Sequence, residues 1–452
     1  MTTPRTSLLV CTALLAAPAL GWLIKTPGPV PAVLLLAWAS GAALDAWRSR
    51  RDMTDLKLIV PDLARFARRK NSRLDVRLCG DLPRPRVVRI GLAAPPALGL
   101  RANIRSARLA AGAGEIRIAW PFRPRERGRF RLDRWRAETA SRWGLWSVRL
   151  DLPCAVEVRV YPGLHSERRR APALFMRRGF FGIRQQRRHG KGREFEQLRD
   201  YQPGDSLDDI HWKATAKRRR PVTKMFQVER TQEVYVALDA SRLSGRPVAS
   251  ASPDDADLAD ESPDTLLERY VNTALLLGRA ARMQGDLFGI LAFSNRLLSF
   301  VRARRGLRHA SACLDAVCQL RTHAVAPDFG EVCSFIRHNL RRRALIVLLT
   351  QADDPALEES LLRHVDLVRR RHLVLVCMPA PRNVQPLFSE PDSVRHPDDI
   401  YDALGGHLRW RRLRNLADAL RKKGVDFLLT ADDNLLPDMI VRYLNIKQRQ
   451  AL

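Results

Sequence analysis

The chain has 452 residues, of which 46% are hydrophobic, and its formal net charge is +30. This length allows two or three domains, and the apolar fraction is typical of a chain with a real core. The charge is uneven, because residues 51–233 hold 43 Lys and Arg against 20 Asp and Glu. The seven cysteines are scattered without a CxxC pair, which excludes a simple metal clip and predicts reduced thiols.

The N-terminal region contains two apolar segments. Residues 7–24 carry no charge, and residues 30–46 carry only Asp45 near their end. Each segment is just long enough to span a hydrocarbon core of about 30 Å. Arginines follow the second segment, whereas the connecting turn has only Lys25, which predicts that both termini are cytoplasmic. We therefore expect a two-helix transmembrane hairpin over residues 1–52, at the cytoplasmic (inner) membrane, with the soluble domains in the cytoplasm. A cleaved signal peptide is the alternative.

Residues 53–165 are typical of a small antiparallel β-sandwich. Their strand-like segments alternate apolar residues with arginine or polar residues, a period that gives one buried face and one solvated face. These segments are 74–78, 86–90, 115–119, 129–133 and 156–160. Glycine and proline residues separate them, and two sheets packed face to face would bury the apolar side chains.

A basic stretch follows, since residues 168–193 carry ten positive residues and no acidic one. Such a stretch could bind nucleic acid through phosphates, lie against an anionic lipid surface, or be a solvated linker. No helix-turn-helix, RNA-recognition or zinc pattern accompanies it, which argues against nucleic acid. We assign residues 166–233 to a basic linker and a block of distinctive residues.

From residue 234 the pattern changes to continuous apolar runs that alternate with helical stretches. The predicted strands are 234–240, 287–293, 344–350, 372–378 and 425–430. The predicted helices are 265–284, 306–320, 328–342, 356–370, 407–423 and 434–447. Continuous runs predict a parallel sheet covered on both faces, so residues 234–452 should form a doubly wound α/β domain. Within it, the acidic segment 242–264 is rich in Ser, Ala and Pro and is predicted to be disordered.

The block between residues 190 and 217 contains an ordered series of distinctive residues. They are Gly190, Gly192, Arg199, Tyr201, Gly204, Asp205, Trp212 and Lys213. Asp205 or Ser206 is predicted to cap a helix, while Tyr201 and Trp212 are predicted to pack the domains together. A hydrolytic interpretation would use Asp205, Asp209 and His211, but the sequence offers no nucleophile of recognised type beside them. Walker A, G-x-G-x-x-G and H-E-x-x-H patterns are also absent from the sequence.

This series resembles the signature of a bacterial family called domain of unknown function 58, and the resemblance extends over about residues 5–450. It implies that a sandwich precedes the signature and that a von Willebrand factor A-like domain follows it. It also implies a role beside MoxR-type AAA+ ATPases and other proteins of membrane complexes, where the ATPase supplies the nucleotide chemistry. One departure is Asp208, which stands where the family usually has arginine.

The von Willebrand factor A resemblance implies a divalent cation at an Asp-x-Ser-x-Ser motif after the first strand. Asp239 and Ser241 match this motif, but Leu243 stands where the second serine belongs. Asp353, after a later strand, would be a further ligand. Carboxylate and hydroxyl oxygens suit Mg²⁺. The alternative is that the aspartate and serine cap the following loop.

Together these features predict a membrane-anchored α/β protein that is not an enzyme and acts as an adaptor in protein assembly or maturation. Two alternatives stay open: a cryptic metal-dependent hydrolase, and a membrane-proximal binder of an anionic polymer such as nucleic acid.

Overall fold

The structure is a computed structural model. It describes residues 2–5, 10–12, 14, 16, 30–164, 189–202, 207–227, 232–248, 264–352, 354–380, 384–387, 389 and 396–448. The chain divides into two compact units, Met1–Gly163 and Leu164–Leu452. We call them the first and second unit.

The described residues of the first unit include the helix α1 and eleven strands, together with a 3-10 turn at Pro96–Leu98 and helical residues at 10–12, 14 and 16. The helix and the strands are β1 (Thr2–Pro4), α1 (Val30–Arg51), β2 (Lys57–Ile59), β3 (Leu63–Ala67), β4 (Ser72–Leu82), β5 (Arg86–Leu92), β6 (Ile104–Leu109), β7 (Gly112–Phe122), β8 (Gly128–Leu132), β9 (Trp135–Ala140), β10 (Trp146–Leu152) and β11 (Val156–Tyr161).

These strands form three sheets around one core, with orders β1-β10-β9-β5-β6, β2-β4-β7 and β3-β11-β8. Alternation predicted the buried faces, as in β8, where buried and exposed residues alternate from Gly128 to Leu132. Trp120 and Trp135 meet edge to face in the core, with ring centroids 5.6 Å apart. The expected sandwich was fully antiparallel, but β3 pairs in parallel with β11.

The predicted transmembrane hairpin over residues 1–52 is wrong. Among the described residues, no helix combines the length and the apolar character needed to cross a membrane. Most of the first segment, 7–24, lies outside the described residues. Ahead of it, Thr2–Pro4 pairs as a strand with β10. The predicted location at the inner membrane with two transmembrane helices depended on this hairpin, and it is therefore wrong as well.

The second apolar segment forms α1, and polar contacts of its C-terminal half explain the correction. Asp45 and Ser49 are buried, with 3% and 0% of their surface exposed. Asp45 accepts a hydrogen bond from the backbone of Trp143 at 3.3 Å, and Ser49 accepts one from the backbone of Arg142 at 3.1 Å. The indole of Trp146 donates to the Ala42 carbonyl at 2.8 Å. The second half of this helix is therefore part of the folded first unit.

The second unit contains the remaining described elements. They are β12 (His189–Asp200), α2 (Trp212–Arg218), β13 (Val222–Gln227), β14 (Glu233–Asp239), β15 (Pro247–Val248), β16 (Asp264–Thr265), α3 (Leu266–Met283), β17 (Leu287–Phe293), β18 (Leu297–Arg304), α4 (Leu307–Cys318), α5 (Phe329–Asn339), β19 (Ala344–Leu349), α6 (Pro355–Arg369), β20 (Leu373–Ala380), α7 (Pro397–Lys422), β21 (Asp426–Ala431) and α8 (Leu435–Gln448).

The main sheet of the second unit has the order β18-β17-β14-β19-β20-β21. The pairs from β17 to β21 are parallel, and β18 is an antiparallel edge strand. Helices α3, α4 and α8 bury one face of the sheet, and α5, α6 and α7 bury the other. The α/β prediction is confirmed at this level. The carboxyl ends of the parallel strands meet at one edge, where loops can assemble a site.

Two predicted boundaries change. The segment 242–264 was expected to be disordered throughout, but residues Arg242–Gly245 form a 3-10 turn and β15 pairs with β16. Residues 249–263 lie outside the described residues. Helix α7 begins at Pro397 rather than at residue 407, because a reciprocal capping box between His396 and Asp399 starts it early.

Candidate functional site

The distinctive block folds as an antiparallel hairpin of β12 and β13, with α2 in the connection. Gly190 and Gly192 lie in β12, whereas Gly204 and Asp205 lie outside the described residues. At the end of β12, the Arg199 guanidinium donates to the Gln202 side chain at 2.7 Å. The backbone of Tyr201 donates to the Pro221 carbonyl at 2.9 Å.

Helix α2, which we call the signature helix, starts later than predicted. Its N-cap is His211, whose Nδ1 accepts a hydrogen bond from the backbone of Ala214 at 3.1 Å. The expected cap was Asp205 or Ser206. A neutral histidine that accepts at Nδ1 carries its proton on Nε2. In this arrangement His211 therefore serves the helix and has no free ring nitrogen to act as a general base.

The signature helix is tied closely to β13. The backbone of His211 donates to the Val222 carbonyl at 2.8 Å, and the backbone of Val222 donates to Thr215 Oγ1 at 3.1 Å. Ile210 forms an isolated bridge with Thr223. Val222 is fully buried and Ile210 is 7% exposed. The short helix is therefore held by hydrogen bonds and by a small apolar contact rather than by its own length, which is marginal.

The outer side of this element is apolar and basic. Trp212 is 71% exposed and Leu207, five residues earlier, is 69% exposed. Lys213 and Lys217 are exposed beside them. The interdomain packing role that the sequence predicted for Trp212 stays a prediction.

The second candidate region is at the carboxyl edge of the main sheet, where Asp239 ends β14. Asp239 is fully buried. Its Oδ1 accepts from the backbone of Ser241 at 2.8 Å, and its Oδ2 accepts from the Thr350 hydroxyl at 2.6 Å. Tyr270, from α3, donates to the Thr350 carbonyl at 3.0 Å. Both oxygens of this carboxylate are thus bound by the protein itself.

The serines of the predicted motif have different roles. Ser244 donates to the Ser241 carbonyl at 2.7 Å and so closes the 3-10 turn. The Ser241 hydroxyl is buried and has no hydrogen-bond partner within the described parts of the chain. Leu243 packs against the apolar cluster under α5, α6 and α7. Ser241 therefore has hydrogen-bonding capacity left, whereas Ser244 is used by the turn.

A second carboxylate lies at the same edge. Arg246 makes a bidentate ion pair with Asp432, at 3.1 and 2.6 Å, in which the side chains are 22% and 13% exposed. Arg246 also donates to the Pro379 carbonyl at 3.2 Å, and the Gln351 amide donates to the same oxygen at 2.6 Å. These contacts link residues that follow β14, β19 and β21 to the end of β20. We call this set, with Asp239, Ser241, Thr350 and Tyr270, the carboxyl-edge network.

Burial dominates the electrostatics of this network. It raises the pKa of Asp239 above its ordinary value, while the hydrogen bonds from Thr350 and Ser241 act in the opposite direction. Burial and the neighbouring Asp239 also raise the pKa of Tyr270, so its hydroxyl stays a donor at neutral pH.

A metal ion at the predicted site would need Asp239, Ser241 and Asp353. Asp353 lies outside the described residues. Within the described part of the chain, no group of three His, Cys, Asp or Glu residues could hold a metal. Both Asp239 carboxylate oxygens already accept hydrogen bonds from the protein, so a cation would have to displace Thr350 or share its oxygen. The magnesium site stays a prediction.

Sequence reasoning missed Arg246, Asp432 and Tyr270. Asp432 directly follows β21, so the rule that strand carboxyl ends share one edge would have placed it there. Arg246 lies in a segment that was expected to be disordered, and Tyr270 lies within an otherwise apolar helix face. Neither residue carries a signal of its role in the sequence alone.

Comparison with solved structures gives weak likenesses. Proximal thread matrix protein 1 from the mussel byssus is 10% identical, with a TM-score of 0.27 over 47% of this chain and 46% of that protein. A PapD-like domain of human CEP192 is 14% identical, with a TM-score of 0.19 over 24% of this chain and 85% of that domain. Scores this low carry no conclusion about this chain.

Sequence comparison finds relatives of unknown role. Uncharacterized proteins of Mycobacterium tuberculosis and Mycobacterium bovis are each 24% identical over 284 residues, which is 58% of this chain and 82% of the relative. Residues 197–385, which include the signature helix and every strand of the main sheet except β21, match the family described as Protein of unknown function DUF58.

Proposed function

We propose that this chain is an interaction protein that works with a MoxR-type AAA+ ATPase, and that the partner docks on the signature helix. The resemblance supplies the class of partner. The signature helix is proposed as the docking surface because it lies within the region that matches the family and carries the most exposed tryptophan described in the second unit.

The exposure of Trp212 is the observation that carries this proposal. An indole that is 71% exposed leaves a large apolar surface in water, and Leu207, 69% exposed, adds to it. Isolated exposed apolar residues are ordinary, but tryptophan is enriched among the residues that dominate binding energy at interfaces. A partner that covers Trp212 and Leu207 would remove their apolar surface from water, and the hydrophobic effect would then stabilise the complex.

The charge beside Trp212 indicates the chemistry of the docked surface. Residues 217–220 read Lys-Arg-Arg-Arg, and Lys213 lies one position after the indole. All five belong to exposed residues, and four of them remain for a partner beside Arg220, which pairs with Asp200 at 3.0 Å. An acidic patch on the partner would match them and would speed association at low salt. We therefore expect partner binding to weaken as the ionic strength rises.

The signature helix is held in a fixed position, which suits the recognition of a partner. The hydrogen bonds from His211 to Val222 and from Val222 to Thr215 hold the helix on β13 before any partner arrives. A preorganised surface loses less conformational entropy on binding than a flexible one.

A metal-dependent version of the same interaction is a second candidate, favoured by the Ser241 hydroxyl. This buried group has no partner within the described residues and lies two positions after Asp239. A von Willebrand factor A-like site would use Asp239, Ser241 and Asp353 to hold Mg²⁺, which could bind a carboxylate of the partner. A hydrolase remains the alternative of a different class, and turnover that disappears in His211→Ala and Asp239→Ala variants while the fold survives would reveal it.

The experiment is co-purification of the full chain with a MoxR-type AAA+ ATPase from the same organism, with Mg²⁺ and with EDTA. Wild type should retain the ATPase, and Trp212→Ala should lose most of it. Trp143→Ala is the matched control, since Trp143 is 61% exposed in the first unit, and it should behave as wild type. Failure of wild type to retain the ATPase would contradict the partner. Equal retention by both tryptophan variants would contradict the docking surface.

A further inference from the structure

A cavity of about 130 Å³ lies in the second unit between α3, α4 and the start of β17. Its apolar lining includes Leu275, Phe288, Cys313 and Leu314. An engineered apolar cavity of about 150 Å³ is known to accept benzene. The space is therefore suited to an apolar group of roughly six carbon atoms.

The wall of this cavity depends on a glycine. A Cβ built at Gly278 would lie 2.5 Å from the Phe288 ring, closer than real side-chain contacts allow. The ring therefore lies directly against the backbone of α3, and it needs glycine at that position. The cavity is bounded by this contact on one side and by α4 on the other.

Three arginines line the same cavity: Arg279, Arg282 and Arg304. Arg279 and Arg282 are three positions apart on α3, a spacing that places them on one face of the helix. All three are exposed residues. Asp286 also lines the cavity, but its carboxylate is bound by Tyr443 and by Lys447 at 2.8 Å. The potential at this cavity is therefore positive.

The polar groups in the cavity wall, His309 and Cys313, are not arranged for nucleophilic catalysis. His309 Nε2 is 2.7 Å from the Phe288 carbonyl, which requires the proton on Nε2. Cys313 lies 3.5 Å from the same nitrogen, which cannot also accept the thiol proton. Burial raises the pKa of the Cys313 thiol to about 11, so it is not a thiolate at neutral pH. The cavity has the character of a binding site.

We infer that this cavity binds a small amphipathic carboxylate, with an apolar chain of about six carbons inside and the carboxylate held by Arg279, Arg282 and Arg304. Guanidinium groups pair with carboxylates through two parallel hydrogen bonds. The ligand is distinct from the protein partner proposed above, and its site is separate from the signature helix.

The test is calorimetric titration of the full chain with hexanoate at low salt. Acetate, hexan-1-ol and hexylamine are the matched probes, since they lack the chain, the charge or the sign of charge. Hexanoate should bind with one site per chain and at least tenfold more tightly than each of the three. Binding of hexan-1-ol as tight as that of hexanoate would overturn the role of the arginines.

Two variants locate the site. Arg279→Ala with Arg282→Ala should weaken hexanoate at least tenfold, whereas Arg337→Ala should leave it within twofold. Arg337 is also an exposed helical arginine, but it lies on α5, which packs on the other sheet face. Ala310→Leu, which fills the cavity, should abolish binding. Hexanoate binding that survives Ala310→Leu, or that weakens equally in Arg337→Ala, would place the ligand elsewhere and overturn the inference.

Discussion

The carboxyl-edge network and the signature helix belong to the same unit, but the network buries its polar side chains whereas the signature helix exposes its tryptophan. At the edge, Asp239 is held by Thr350, which follows β19, and Asp432 is held by Arg246, which follows β14; Asp239 has no exposed surface. On the signature helix, Trp212 is 71% exposed. Satisfied buried polar groups specify one arrangement of the fold, whereas an exposed aromatic surface is free to bind a partner. The contrast therefore separates a residue set that maintains structure from one suited to recognition.

The largest expected effect on stability comes from Asp239→Ala. This change leaves the Thr350 hydroxyl and the Ser241 backbone without their buried acceptor, so the free energy of unfolding should fall by about 3 kcal/mol. Asp239→Asn keeps one acceptor and should lose less. Chemical denaturation measures both, with exposed Asp402→Ala on α7 as the control. If Asp239→Ala were as stable as the control, the carboxyl-edge network would not be structural.

His372 is a buried polar side chain that, unlike Asp239, lacks hydrogen-bond partners among the described residues. It is 3% exposed. Burial and Arg371 lower its pKa from 6.5 to about 4. Between these values the unfolded chain binds more protons, so stability falls as the pH drops from about 6.5 towards 4.

His372→Leu removes this acid sensitivity. At pH 5 the variant should gain about 1–2 kcal/mol relative to wild type, beyond any change at pH 7.5. Denaturation at both pH values measures the difference. His338→Leu, at an exposed histidine on α5, is the control and should show no such gain. An unchanged pH dependence in His372→Leu would contradict the neutral buried ring.

Thr215→Val should have a smaller effect. It removes the acceptor of the Val222 backbone N–H, which lies at 3.1 Å, while it preserves the shape of the side chain. The expected loss is about 1 kcal/mol, confined to the signature helix and β13. Hydrogen exchange should show faster exchange at Val222 and at neighbouring amides, with the main sheet unchanged. Faster amide exchange across the whole second unit would show that this hydrogen bond does not act locally on the signature helix and β13.

Much of the second unit could be predicted because its strands are buried on both faces. The runs that became β14, β17 and β19 are continuous apolar segments, and the predicted bounds differ from the observed bounds by one residue at most. Buried parallel strands leave this signal in the sequence without help from distant residues.

The first unit was harder to predict. Strands β1, β2, β3, β6, β9 and β10 were missed. In β6, Arg105 stands on the face that otherwise carries the buried Ala107 and Leu109, so it interrupts the apolar alternation. The apolar run at the start of α1 indicated a membrane span, whereas the contacts of Asp45 and Ser49 with a distant loop decide its environment. Those contacts join residues more than ninety positions apart, so a hydropathy profile of neighbouring residues cannot detect them.

The candidate sites show the same division. Asp239 and Ser241 could be placed at a strand end from their position after an apolar run. The ion pair of Arg246 with Asp432 depends on a loop that crosses two intervening strand ends, which the sequence does not reveal. The exposure of Trp212 was also missed, because tryptophan is usually more buried.

Affinity and stability of Trp212→Ala, measured together, test the proposed docking surface most directly. The free energy of unfolding should change by less than about 0.5 kcal/mol, since the indole is exposed. The dissociation constant for the MoxR-type ATPase should rise at least tenfold, which is about 1.4 kcal/mol of binding free energy. A variant that is equally stable and binds the ATPase with the wild-type dissociation constant would show that the partner does not dock on Trp212.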